Sequence, residues 1–149
     1  MRAVVQRVSQ ARVRVDDATV GAIGPGLLVL LGVKAGDTDA AGEYLADKIA
    51  NLRVFDDADG RMELSALDAG AGTLVVSQFT LYGDARKGRR PSYIQAARGD
   101  EAEAAYERVC ERLRGLGLTV ATGRFGAEMQ VEMVGDGPVT ILLDSDRCF

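Results

Sequence analysis

Leu27-Leu28-Val29-Leu30-Leu31-Gly32-Val33 is apolar from end to end. It reads as a central strand buried on both faces. Gly24-Pro25-Gly26, just before it, is a tight turn. Upstream, residues 2–8 alternate around Val4 and Val8, and a turn is expected near Ser9-Gln10. Residues 11–15 set Val13 and Val15 against Arg12 and Arg14, the period of two of a half-exposed antiparallel hairpin. Asp16-Asp17-Ala18-Thr19 is a turn, and Val20 to Ile23 a short strand.

Downstream, Asp37 or Thr38 is expected to cap a helix. Its inner stripe is Ala41, Leu45, Lys48 or Ile49, and Leu52, and Glu43 and Asp47 fall on the solvated face. Arg53-Val54-Phe55 reads as a strand. Asp56-Asp57-Ala58-Asp59-Gly60 opens like a calcium loop, but Leu67 stands where the bidentate Glu belongs, so an acidic hairpin turn fits better. Met62-Glu63-Leu64 is that turn's second arm. A strand is expected over 73–79 and a second helix from Asp100 to Leu116. The helix buries Ala102, Ala105, Tyr106, Val109, Leu113 and Leu116. Leu118 to Thr122 is a strand. Glu128 to Val134 alternates, with Met129, Val131 and Met133 on one side, as at a subunit contact. Gly135-Asp136-Gly137-Pro138 should break it before a last strand, Val139 to Leu143. Two helices cover one face of such a sheet, so the sheet must curl on itself or gain a third layer. The expected fold is α/β: one compact domain over 1–149, a mostly antiparallel curled sheet in β/β/α layers covered by two helices.

A chain of 149 residues can bury a core without disulfides or a structural metal. No apolar run reaches membrane-spanning length, so no membrane partner is expected. Met1 to Val5 is cut at once by Gln6 and Arg7, unlike a signal peptide, and a cytoplasmic protein with its N-terminus inside the fold is expected. Cys110 and Cys148 have no metal or redox spacing. There is no histidine at all. That excludes Ser-His-Asp and Cys-His catalysis, histidine-ligated zinc and an imidazole base. Neither a metal nor another cofactor is called for. The formal net charge of −4 argues against bulk attraction to nucleic acid. Arg86, Lys87, Arg89 and Arg90 nevertheless crowd into five positions, a patch compatible with phosphate contact or with plain solvated charge.

Three stretches could carry chemistry. In Ser77-Gln78-Phe79-Thr80, strand alternation would put Gln78 and Thr80 on one face, an amide and a hydroxyl for one ligand. Taken alone, the pair is better read as satisfying neighbouring backbone. Gly135-Asp136-Gly137-Pro138-Val139-Thr140 could hold carbonyls in a fixed orientation. A plain turn is the commoner case, since only about 5–6% of X–Pro bonds are cis. Gly123-Arg124-Phe125-Gly126-Ala127-Glu128-Met129 offers Phe125 for base stacking and Met129 for a pocket wall, although both types are more often core. Thr80 has no base near it in sequence and would be a poorly activated nucleophile.

With these motifs in this order the chain resembles the D-aminoacyl-tRNA deacylase family. The resemblance runs from Met1-Arg2-Ala3-Val4-Val5-Gln6-Arg7-Val8 through Gly24-Pro25-Gly26-Leu27-Leu28-Val29 and Ser77-Gln78-Phe79-Thr80-Leu81-Tyr82. It continues through Arg86-Lys87-Gly88-Arg89-Arg90-Pro91-Ser92 and Gly123-Arg124-Phe125-Gly126 to Gly137-Pro138-Val139-Thr140. Gly83 and Gly135 depart from the family's usual alanine and asparagine. The resemblance implies a homodimer with active sites at the subunit interface, acting on the acceptor end of D-aminoacyl-tRNA. It implies hydrolysis of the D-aminoacyl ester, with glycyl-tRNA also admitted. Ser77, Gln78, Phe79 and Thr80 would surround the terminal adenosine and the ester. Gly137-Pro138, cis and inserted from the partner with Val139 and Thr140 beside it, would exclude L-aminoacyl groups. Arg7 would lock that pair, and Phe125 and Met129 would line the pocket. The RNA's 2′-hydroxyl and backbone donors would assist hydrolysis. A Thr80 nucleophile is the second mechanism, and a non-catalytic RNA-binding module is the rival function.

Overall fold

The structure, a computed structural model, describes residues 1–149. Strand β1 (Arg2–Val15) is its spine. Its buried residues are Ala3 and Val5, then Val8, then Ala11, Val13 and Val15. The spacing lengthens from two to three at each side of Val8, where the register with the neighbouring strand also shifts. The expected turn at Ser9-Gln10 is therefore absent. A bulge absorbs the extra residue and resets which face points inward, without reversing the chain.

Along one edge of β1 lies β8 (Gln130–Asp144), antiparallel over the whole length. The expected break at Gly135 to Pro138 does not split it. Gly135 faces Val8 and Thr140 faces Gln6, so Asp136 to Val139 are four residues set against Arg7 alone. Along the other edge, β2 (Ala18–Ile23) pairs residues 11–15, and β3 (Gly26–Gly32) pairs residues 2–8. Parallel pairs then add β6 (Gly72–Ser77) and β7 (Thr119–Thr122). β4 (Phe55–Asp56) and β5 (Met62–Leu64) form a separate hairpin. The strand expected at Arg53 begins only at Phe55, because Val54 turns into the core.

The central strand divides two cores. Leu27, Val29 and Leu31 face the helices, together with Ala3, Val5 and Val75. Leu28 points the other way, into a cluster with Val8, Ala11, Val13, Leu74 and Val76, closed by Val20 and Ile23 of β2 and Ala121 of β7. Residues from both ends of the sheet meet in that cluster, so the sheet curls on itself. A Cβ placed at Gly21 on β2 would lie 2.2 Å from the Thr122 carbonyl oxygen on β7. Gly21→Ala is expected to cost about 2 kcal/mol, since backbone must move to admit the methyl. A denaturant titration reads that loss directly.

Helix α1 (Asp39–Asn51) is capped by Thr38, whose hydroxyl accepts from Ala41 N at 3.4 Å. Asp37 instead accepts from Lys34 N at 2.7 Å. The helix buries Gly42, Leu45, Ala46, Ile49 and Ala50, with Lys48 outside. Asp47 is not merely solvated: it pairs with Arg112 at 3.0 Å. That arginine belongs to α3 (Gly99–Gly115), which buries Ala102, Ala105, Tyr106, Val109, Cys110 and Leu113. The helices number three rather than two. Between β5 and β6 stands α2 (Ala66–Ala69), held by a reciprocal cap between Ser65 and Asp68 and closed by Gly70 in the left-handed region. No helix is long and apolar enough to cross a membrane.

Candidate active site

β6 ends at Ser77 rather than running on to 79. Its partner β3 stops at Gly32, so no strand edge remains to extend the pairing. Gln78 N donates to Leu31 O at 2.8 Å, and the chain then tightens into a 3₁₀ turn, Phe79–Tyr82. Gln78 and Thr80 nevertheless meet, through the turn and not through strand alternation. The Gln78 amide donates to the Thr80 hydroxyl. The first N–H groups of such a turn have no acceptor within it, which leaves those of Phe79 and Thr80 for another partner.

Beside this turn is a cavity of about 630 Å³, lined by eighteen residues of which thirteen are apolar. Ser77, Gln78, Phe79, Phe125 and Met129 all line it. Residues from the end of β6 and from the segment after β7 thus share one space. Phe79 is 54% exposed at the cavity and meets Tyr93 edge-on, with ring centroids 5.1 Å apart. Phe125 lies against Tyr106 at 5.9 Å. The buried Tyr106 hydroxyl donates to Val75 O at 2.8 Å. Burial raises its pKa above the ordinary tyrosine value, so it stays a neutral donor. Removing that hydroxyl in Tyr106→Phe leaves the Val75 carbonyl with Gly123 N alone, at 3.1 Å, and is expected to cost about 1 kcal/mol, read as a lower denaturation midpoint. Met129 is positioned by Gly123: its sulfur sits 2.7 Å from where a Cβ there would be.

The remaining motif residues are elsewhere. Gly137, Pro138, Val139 and Thr140 do not line this cavity. They lie in the four-residue excursion of β8 and its return. Gly137-Pro138 is cis and exposed. Thr140 accepts from Gln6 Nε2 at 3.4 Å, and Val139 packs on the helix-side core. Arg7, whose side chain is 10% exposed, holds the excursion. Its Nε donates to Asp136 O at 3.1 Å, and Nη1 donates to Val54 O at 2.7 Å. The Asp136 and Asp56 carboxylates lie 3.4 and 3.6 Å away. A guanidinium held by two carbonyls and two carboxylates fixes the residue before Gly137 to the β4–β5 hairpin.

The basic residues Arg86, Lys87, Arg89 and Arg90 form an exposed loop beyond the cavity. Arg86 is tied to Asp84 at 2.6 Å, and its hydrogen bonds hold the Asp84 carboxyl well below the usual carboxylate range. No cluster of three or more His, Cys, Asp or Glu side chains is arranged to hold a metal. Sequence reasoning did not single out Tyr93 or Val131 as pocket residues, yet both line the cavity. Tyr93 follows the basic run and carried no local signal. Val131 was visible only as part of an alternating strand.

Comparison with known proteins gives a consistent pattern. The family model described as D-Tyr-tRNA(Tyr) deacylase matches residues 4–144. A D-aminoacyl-tRNA deacylase of Symbiobacterium thermophilum is 60% identical over the whole of this chain and 99% of its own length. One of Thermotoga petrophila is 58% identical over the full length of both. A solved structure titled c-Myc DNA Unwinding Element Binding Protein superposes with TM-score 0.92 at 43% identity, covering 97% of this chain and 98% of its own. Another, titled as a probable eukaryotic D-amino acid tRNA deacylase, shares the fold at 20% identity, with TM-score 0.81 over 96% and 98% of the two chains.

Proposed function

This chain belongs to the D-Tyr-tRNA(Tyr) deacylase family, and from that premise we propose that it hydrolyses the ester of D-aminoacyl-tRNA, releasing tRNA and the free D-amino acid. The observation that carries the proposal is the shared cavity. Two motifs separated by some forty-five positions, Ser77 to Phe79 and Phe125 to Met129, line one mostly apolar space with an amide and a hydroxyl at its edge. Such a space suits an adenine base and the ester beside it.

An aminoacyl ester is already activated, so orientation and oxyanion stabilisation can supply most of the catalysis. The N–H groups of Phe79 and Thr80 are the donors we assign to the oxyanion. The RNA's 2′-hydroxyl, adjacent to the ester, hydrogen-bonds the attacking water or the leaving oxygen. Thr80 as nucleophile ranks second. Its hydroxyl receives a hydrogen bond from Gln78, which draws electron density from the oxygen, and no base accepts its proton.

Selectivity in this reading comes from a second copy of the chain. The outer edge of β8 has no partner in the sheet, and Val131, Met133, Val134 and Leu142 stand exposed along it. A long apolar edge strand is a ready surface for pairing. Val131 also lines the cavity, so a partner docked on β8 reaches its mouth. The partner's Gly137 and Pro138 carbonyls, flanked by Val139 and Thr140 and held by Arg7, would receive the α-amino group and block an L side chain. The pocket then accepts many D side chains by gripping none. An achiral glycyl group has nothing to be blocked, so glycyl-tRNA is a second substrate. Lys87, Arg89 and Arg90 of the basic run 86–90 are assigned to tRNA phosphates, and the cytoplasm, where aminoacyl-tRNA is found, is the site of this proofreading.

The test is deacylation of D-Tyr-tRNA and Gly-tRNA by the purified protein, with RNA binding measured in parallel. Release of tRNA from both supports the proposal. RNA bound and no ester cleaved would instead support a binding module.

A further inference from the structure

We propose that the loop 85–91 is a preset RNA-docking arm in which Lys87, Arg89 and Arg90 hold stem phosphates, while Arg86 touches no RNA and fixes the loop's shape. This rests on the reading that the substrate is D-aminoacyl-tRNA.

The four basic residues are not equivalent. Asp84 accepts from Arg86 three times: from its backbone N at 3.0 Å, from Nε at 2.9 Å and from Nη2 at 2.6 Å. A guanidinium so occupied is a poor phosphate ligand. Lys87, Arg89 and Arg90 are exposed and have no carboxylate partner. The arginines of β1 differ again, since Arg2, Arg7, Arg12 and Arg14 each face a carboxylate. On a chain of net charge −4, three uncompensated cations within four positions form a local site for a polyanion.

The arm is fixed relative to the cavity. Asp84 N donates to Ser92 O at 2.8 Å and Ser92 N donates back to Asp84 O at 2.9 Å, which closes the loop at its base. One strand of that base continues from the 3₁₀ turn that carries Thr80. The other leads into Tyr93, whose ring meets Phe79. None of the three cations lines the cavity. With the 3′ nucleotide inside, the phosphates assigned to them are those set back from that end, in the paired stem.

The test compares kcat/KM for D-Tyr-tRNA and for the D-tyrosyl ester of the trinucleotide CCA across a range of salt. Each stem phosphate contact contributes about 0.9 to the salt slope, or roughly fivefold in affinity near 0.15 M salt. Lys87→Gln/Arg89→Gln/Arg90→Gln is expected to lower kcat/KM for the tRNA by roughly a hundredfold and the slope by about 2.7. It should leave the trinucleotide ester unchanged. Arg86→Gln should lower kcat/KM for the tRNA a few-fold at every salt concentration, because the loop is no longer preset, and leave the slope unchanged, because no phosphate contact is lost. An unaltered slope in the triple variant, an equal loss on the trinucleotide, or a reduced slope in Arg86→Gln would each overturn the assignment. If the wild-type chain cleaves neither substrate, the deacylase reading itself fails, a result distinct from all three.

Discussion

D-Tyrosyl-tRNA ending in 2′-deoxyadenosine is expected to be hydrolysed about 10²–10⁴-fold more slowly than the natural ester, the range for loss of a positioned acid–base group. The protein offers no replacement. It has no histidine, and the Thr80 hydroxyl, which accepts the Gln78 amide N–H, has no base beside it to take its proton. The companion measurement is Thr80→Ala on the natural substrate. If Thr80 only shapes the turn and orients Gln78, the loss is about tenfold and Thr80→Ser restores it. Deleting a true nucleophile costs far more, on the order of 10⁶ where the group has been removed from a serine protease. Single-turnover rates on the two substrates therefore separate the mechanisms. A near-normal rate with the deoxy ester would remove the 2′-hydroxyl from the account.

Arg7→Ala is the second large effect. It deletes donors to Asp136 O and Val54 O and leaves two carboxylates facing each other across the gap. The excursion that carries Gly137 and Pro138 then loses its tether to the β4–β5 hairpin. A displacement of about 1 Å in a positioning group is enough for a loss of roughly 10²-fold in rate. The expected result is that fall in kcat/KM on D-Tyr-tRNA. A variant that stays folded by circular dichroism and keeps full activity would show that Arg7 positions nothing the reaction uses.

The parts of the molecule legible in the sequence are those where one pattern dominates. The run Leu27 to Val33 has no polar residue to place outside, and it forms the strand that separates the two cores. The stripes of α1 and α3 were legible for the same reason. What escaped were places where the pattern is interrupted but the pairing is not. Ser9-Gln10 looks like a turn because two polar residues break the alternation, yet a bulge absorbs them. Gly135 to Pro138 looks like a break, yet β1 continues opposite and pairing resumes at Thr140 with the register shifted. The short helix α2 was marked by Ser65 and Asp68 at capping-box spacing, with Gly70 behind them, a local signal that no apolar stripe reinforced.

The candidate site was legible as motifs but not as a single place. Ser77 to Phe79 and Phe125 to Met129 share a cavity because β6 and β7 are parallel neighbours, so both strands end on the same side of the sheet. Gly137-Pro138 lies apart from that cavity within one chain, which is why a second copy enters the proposed mechanism. Tyr93 reaches the cavity through contact with Phe79, and nothing in its neighbouring residues signals a partner so far along the chain.

The most direct test of chiral exclusion is a side-by-side time course of D-Tyr-tRNA and L-Tyr-tRNA with the same enzyme at the same concentration. The expected result is cleavage of the D ester with a rate ratio above about 10³, some 4 kcal/mol of discrimination, and an L ester that decays no faster than in buffer. Equal loss of both enantiomers would contradict it.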